Sequence, residues 1–136
     1  MDSQQVKTSL SAGLLIRDVL IQDSSVSALT NRVFPVVSEA DAILPYIQYR
    51  RVGFTEETSK ANARLQGAET SVIEVNCFAG TYAGSVDLAE RVRNALDCTQ
   101  HSSNGLFARS IVLTDAEEAW EDDAYIQVLT FQIKVQ

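Results

Sequence analysis

The last thirteen residues, AYIQVLTFQIKVQ (124–136), constrain the fold more than any other stretch of the chain. Tyr125, Leu129, Phe131, Ile133 and Val135 face one way and Thr130, Gln132 and Lys134 the other. That period of two marks a strand with one buried face. At about 3.3 Å per residue such a strand is roughly 40 Å long, comparable with the diameter of a domain of this length. It has to cross the whole molecule, and the rest of a sheet has to be built beside it.

Three other stretches supply that sheet most plainly. In ETSVIEVNCFA (69–79), Ile73, Val75, Cys77 and Ala79 line one face against Val72, Glu74, Asn76 and Phe78. In ILPYIQYRRVGF (43–54), Ile47, Tyr49 and Arg51 alternate with Tyr46, Gln48, Arg50 and Val52, with Pro45 acceptable as a strand opener. FARSIVLT (107–114) reads as another strand. RVFPVV (32–37) adds a short one that belongs at an edge, because Pro35 cannot donate to a ladder. Two helices are expected. The first runs from Ser9 or Ser11 to Gln22, with Ala12, Leu15, Ile16 and Val19 on its stripe and Leu14, Leu20 and Ile21 widening it. Asp23 and Ser24 stop it, and SSVSALT allows one further short turn. The second spans about Ala83 to Cys98, with Leu88, Ala89, Val92, Ala95 and Leu96 on one side and Asp87 supporting Arg91 at i,i+4. TQHSSNG reads as the turn that follows. The order predicts one α+β domain over 1–136: a mainly antiparallel sheet of about five strands with two helices packed on one face. Residues 1–8 are expected to form a flexible tail.

Charge is concentrated. Of the 18 acids, Asp115, Glu117, Glu118, Glu121, Asp122 and Asp123 lie within nine residues, so one segment carries almost all of the net −7. It reads as a solvated acidic loop, or as a surface that repels polyanions or docks a basic partner. No apolar run approaches the roughly 18 residues of a membrane span, and the polar N-terminus lacks the pattern of an export signal. The reading is of a soluble protein made in a reducing cytoplasm, with no membrane partner and with Cys77 and Cys98 as free, buried thiols.

Catalytic chemistry has little to stand on. His101 is the only histidine; Cys98 stands three residues away, with no second pair to complete a tetrahedral zinc site. No nucleophile elbow, glycine-rich phosphate loop or calcium loop occurs. No enzyme activity, metal or cofactor is expected. Arg50 and Arg51 are too isolated for a nucleic-acid face and are expected to form ion pairs across strands or subunits. Trp120, alone among acids, is either a partner anchor or folded back on the core.

The succession NRVFPVV, LPYIQYRRVG, VIEVNCFAGTYAGSVDLAERVRNALD and a long closing strand resembles the tail-completion or tail-terminator family of long-tailed bacteriophages and prophages. Phe34, Pro35, Pro45, Ile47, Tyr49, Thr81, Tyr82, Leu88, Ala89, Val92 and Leu96 carry the resemblance, over roughly residues 10–136. It departs from the family in its acidic segment and its tyrosine-rich second strand. The resemblance implies a structural virion protein that caps the tail tube and joins tail to head as a homohexameric ring. Its partners would be its own copies, the tail-tube protein and the head-completion (stopper) protein, with DNA passing through unbound. The alternatives are another neck component, such as a head-completion or adaptor protein, or a small binding module unrelated to phage. Two segments not explained by the fold of one subunit, Thr55–Gly67 and Asp115–Asp123, are expected to be mobile until they meet a neighbour. The interface residues expected are Glu56, Glu57, Lys60 and Arg64 in the first, and Asp115, Glu117, Glu118, Trp120, Glu121, Asp122 and Asp123 in the second, with opposite charges meeting across subunits.

Overall fold

The structure, a computed structural model, describes residues 8–56 and 69–135. A six-stranded sheet runs in the order β1-β2-β3-β6-β5-β4. Its strands are β1 (Val33–Pro35), β2 (Tyr46–Glu56), β3 (Glu69–Ala79), β4 (Thr99–Ser103), β5 (Leu106–Glu121) and β6 (Ala124–Val135). Every neighbouring pair is antiparallel except β1 with β2, which is parallel. β6 pairs along its full length with β5 and along eleven positions with β3, from Tyr125 opposite Ala79 to Val135 opposite Glu69. The closing strand therefore lies inside the sheet, as its length requires.

Three helices lie with one face of the sheet: α1 (Ala12–Gln22), the single turn α2 (Ser24–Ser27) and α3 (Tyr82–Leu96). A 3-10 turn, Ser9–Ser11, leads into α1; the Thr8 side chain caps it by accepting from the Leu10 N–H. The tail expected over residues 1–8 otherwise lies outside the described residues. Asp23 ends α1 with an extended backbone and starts α2 by accepting from the N–H groups of Ser25 and Val26, both at 2.9 Å. Thr81 does the same for α3, accepting from the Gly84 N–H at 3.0 Å. The expected i,i+4 pair forms, Arg91 Nε lying 3.1 Å from Asp87 Oδ1.

The core sits between these helices and the sheet. Leu15, Ile16 and Leu20 of α1 and Leu88, Val92 and Leu96 of α3 cover Ile73, Val75, Leu129, Phe131 and Ile133. Phe131 is fully buried. α1 is less broadly covered than its wide stripe suggests: Leu20 is buried and Ile21 packs on the core, but Leu14 is exposed. The side chain of the buried Glu69 ties the 3-10 turn before α1 to the sheet, Glu69 Oε1 accepting from the Ser9 N–H at 2.8 Å while Ser71 Oγ donates to the Ser9 carbonyl at 2.8 Å.

Three expectations need correction. The sheet has six strands rather than five, because TQHSSNG is not wholly a turn: Thr99–Ser103 form β4, and only Asn104 and Gly105, both at positive φ, make the turn into β5. A short strand on the rim has no second buried face, so its sequence shows no apolar alternation. The acidic segment is not a loop either. Asp115–Glu121 continue β5 against β6, and only Asp122 and Asp123 make the turn, with φ of 53° and 63°. Positive φ at both central residues is the geometry of a two-residue hairpin, and aspartate tolerates it better than most residues. Lastly, Cys98 is exposed; Cys77, near the end of β3, is buried, and burial pushes its thiol far above the ordinary range. Both cysteines are free.

Asp97 joins the end of α3 to the edge of the sheet. Its carboxylate accepts from the Leu113 N–H at 2.8 Å and pairs with Arg93 Nε at 3.1 Å. The hydrogen bond from Leu113 is the larger cause holding its carboxyl below the ordinary aspartate range, with Arg93 adding to it.

Two stability measurements check this packing. Phe131→Ala should cost about 3–5 kcal/mol in urea unfolding, whereas Gln132→Ala, on the opposite face of the same strand, should stay within about 0.5 kcal/mol. The native carboxyl of Asp97 titrates below its unfolded value of about 3.8, so its contribution is complete above that pH and is lost as pH falls through the native value. In acid titrations followed by circular dichroism, Asp97→Asn should unfold with a shallower loss of stability over that window than the parent.

Candidate functional site

Beyond Leu113, β5 leaves the shelter of β4, whose pairing stops at Ile111 opposite Thr99, and runs on beside β6 alone. Residues 114–123 are all exposed. This arm carries every expected interface residue of the acidic segment. Registers sort its side chains by face. Asp115, Glu117 and Glu121 stand with Thr130, Val128 and Ala124 on the face of the sheet that bears no helix; Glu118 and Trp120 stand with Gln127 and Tyr125 on the helical side.

On the helical side the arm is fastened to the start of α3. Tyr82 donates its hydroxyl to Glu118 Oε2 at 2.5 Å, and Gln127 Nε2 donates to the same oxygen at 3.1 Å and to Ser85 Oγ at 3.2 Å. Ser85 Oγ in turn donates to the Tyr82 carbonyl at 2.7 Å, returning the chain of bonds to the first turn of α3. The bond from Tyr82, then that from Gln127, holds the Glu118 carboxyl below its usual range, and the same bond raises the Tyr82 phenol. Both shifts describe one shared proton held on the tyrosine. Tyr82 also meets Tyr125 edge to face, with ring centroids 6.0 Å apart. Trp120 is 59% exposed, which decides between its two expected placements: it is a surface residue. With Tyr82 and Tyr125 it gives this end of the molecule three exposed aromatic rings rimmed by acids.

The face without helices is polar in its centre and apolar toward the β1 end. Phe34 meets Tyr46 edge to face, with ring centroids 5.7 Å apart, and Tyr46 stacks on Phe78, with centroids 4.5 Å apart. Beside them, Arg50 Nε pairs with Glu74 Oε1 at 3.2 Å across two strands, as expected for that arginine, and Asn76 Nδ2 donates to the same oxygen at 3.2 Å. Arg51 points to the other face, where Nη1 reaches the Leu10 carbonyl at 3.3 Å.

Glu56 ends β2 opposite Glu69; Glu57, Lys60 and Arg64 lie outside the described residues. Glu56 and Glu69, which bracket those residues, lie at the Val135 end of β6, and the acidic turn lies at its other end. The sequence reading missed Tyr82 and Gln127 as supports of the arm, since a helix-start tyrosine and a strand glutamine carry no signal until the register sets them beside Glu118.

His101 lies on β4, its Nε2 3.4 Å from the Ala95 carbonyl. Among the described residues no group of three or more His, Cys, Asp or Glu side chains could hold a metal ion, and no helix is long and apolar enough to cross a membrane.

No protein-family model and no curated protein matches this sequence. Solved structures do. A chain from the virion of a native gene transfer agent (GTA) particle superposes with a TM-score of 0.77 over 98% of both chains, at 16% identity. A second solved chain, which carries no functional name, superposes with a TM-score of 0.59 over 91% of this chain and 95% of its own, at 15% identity. At such identities the shared property is the fold: the chain folds, along nearly its whole length, as does a chain of a gene transfer agent virion.

Proposed function

We propose that this chain is a structural virion protein and, more specifically, a tail terminator: a ring that closes the tail tube and forms the joint to the head. One observation carries the reading, the likeness in fold, over 98% of both chains, to a chain of a phage-like virion particle. The order of motifs along the sequence points the same way. The chain acts as a homohexamer in contact with the tail-tube protein on one side and the head-completion protein on the other, at the head-tail junction. DNA passes through without specific binding. Six copies carry roughly −42 formal charges, and repulsion acting over a Debye length of about 8 Å keeps a polyanion from adhering to the passage.

The arm suits this role because it offers aromatic contact area on a rigid support. Strand pairing with β6 and the Tyr82–Glu118 bond order it before any partner arrives, so docking loses little conformational entropy there. Trp120 and the two tyrosines are of the residue types that dominate interface energetics.

The test is tube growth. Purified chain added to polymerising tail-tube subunits of its own particle should stop elongation and leave a density at one tube end in electron micrographs. Unchanged lengths and bare ends would overturn the terminator reading; binding to head-completion protein alone would assign the chain to another neck position. Trp120→Ala should fold normally and cap at least tenfold more weakly, if truncating an interface aromatic has its usual effect.

A further inference from the structure

Besides the outer sides of β1 and β4, stretches of β2 and of β5 have no strand beside them among the described residues, and these two lie diagonally. On the β2 side, β1 covers only Ile47–Tyr49: the Ile47 N–H donates to the Arg32 carbonyl at 2.9 Å and the Val36 N–H donates to the Tyr49 carbonyl at 2.7 Å. From Arg50 to Glu56 no strand pairs on that side among the described residues. On the β5 side, the Ile111 carbonyl accepts from the Cys98 N–H and the Leu113 N–H is taken by Asp97. From Thr114 to Glu121 no strand pairs there among the described residues. Backbone groups alternate sides along a strand, so Arg51, Phe54 and Glu56 direct theirs outward on β2, across the bulge between Arg51 and Gly53. Beyond the bulge between Leu113 and Asp115, those of Ala116, Glu118 and Trp120 point outward on β5.

We infer that these two edges are the two halves of one joint: the β5 edge of one copy pairs, antiparallel, with the β2 edge of the next, Arg50 opposite Glu121 and Arg51 opposite Trp120. This rests on the ring reading above and names its contact. In that register the outward backbone groups of Arg51, Phe54 and Glu56 meet those of Trp120, Glu118 and Ala116. Arg50 and Glu121 both stand on the face without helices, and Arg51 and Trp120 both on the helical face. One contact is then an ion pair and the other a cation over an indole. β4 and the neighbour's β1 lie at opposite ends of the joint, so neither obstructs it.

Charge selects this pairing over the obvious competitor. Acids on an open edge discourage edge-to-edge pairing, and two β5 edges brought together would set Asp115, Glu117, Glu118 and Glu121 against their own copies. The β2 edge answers them with Arg50 and Arg51. A two-fold dimer is disfavoured and a head-to-tail array favoured by the same residues. Geometry agrees. Arg50 is level with Asp115 across the sheet, through Glu74 and Thr130, so pairing it with Glu121 steps the neighbour six residues along the strands. Six residues are roughly 20 Å and the four strands from β2 to β5 roughly 19 Å, which gives a lean of about 45°. Closed barrels lean their strands by about 35–45°.

Cysteine cross-linking tests the register in the full chain, in a Cys98→Ser background. Arg50 and Glu121 form a non-hydrogen-bonded pair in this register, the kind whose side chains stand closest. Arg50→Cys with Glu121→Cys, oxidised alone or with tail-tube subunits present, should give a ladder of linked chains extending past the dimer to six. Arg50→Cys with Asp115→Cys, level within one sheet, should give none beyond the single-cysteine chains. No ladder from the first pair, a ladder ending at the dimer, a ladder from the second pair, or links only to tube subunits would each overturn the joint. Separately, Glu121→Arg should weaken self-association about tenfold or more, and adding Arg50→Glu should restore it, with circular dichroism confirming that each variant folds. Parent protein that caps tubes while the first pair fails to cross-link would sink this joint and leave the terminator reading standing.

Discussion

Everything in this molecule depends on the backbone hydrogen-bond demand of β6. A strand that crosses the whole domain must satisfy its N–H and C=O groups on both sides, and β3 and β5 do so nearly from end to end. Its alternate side chains then fix which face is dry: Leu129, Phe131 and Ile133 look toward α1 and α3, and the helices have somewhere to pack. β3, flanked by β2 and β6, inherits the same division, which is why Ile73, Val75 and Cys77 are fully buried.

β6 also accounts for the arm. Six acids in nine residues have no tendency of their own to form a strand, yet those from Asp115 to Glu121 are extended because β6 offers a paired edge that extends past the core. Two bonds and a turn finish the ordering: Tyr82 and Gln127 hold Glu118 from the helical side, and Asp122 and Asp123 accept the left-handed backbone that a tight hairpin requires. Charge that would be unremarkable on a loop thereby becomes a row at fixed spacing.

Period-two alternation in β3 and β6 and the helical stripes of α1 and α3 were legible in the sequence because each of these elements buries one face, and burial is what hydrophobic patterning records. β4 and the outer half of β5 were not legible, since both lie on the rim where neither face is fully dry and any polar residue serves. The same limit explains the site. Trp120 and the acids could be picked out by composition, but their role as an edge, and the dependence of Glu118 on Tyr82, exist only once register has brought residues 36 positions apart within 2.5 Å. Arg50 and Arg51 were recognisable as a pair; that they point to opposite faces follows from alternation, and that they stand on an open edge follows from the shortness of β1.

In the proposed ring, the diagonal placement of the open edges would also set a bore. Six copies joined through them would contribute four strands each to one continuous wall, and the lean would lengthen its perimeter to roughly 160 Å, a backbone radius of roughly 26 Å. With the helices on the outside, the polar face carrying Gln48, Asn76, Thr130 and the Arg50–Glu74 pair would become the inner lining. Had the edges been level, the strands would stand upright and the same six sheets would enclose a passage narrower by about a third. The offset between two strand ends in a single subunit would thus be a gauge for what can travel through the proposed ring.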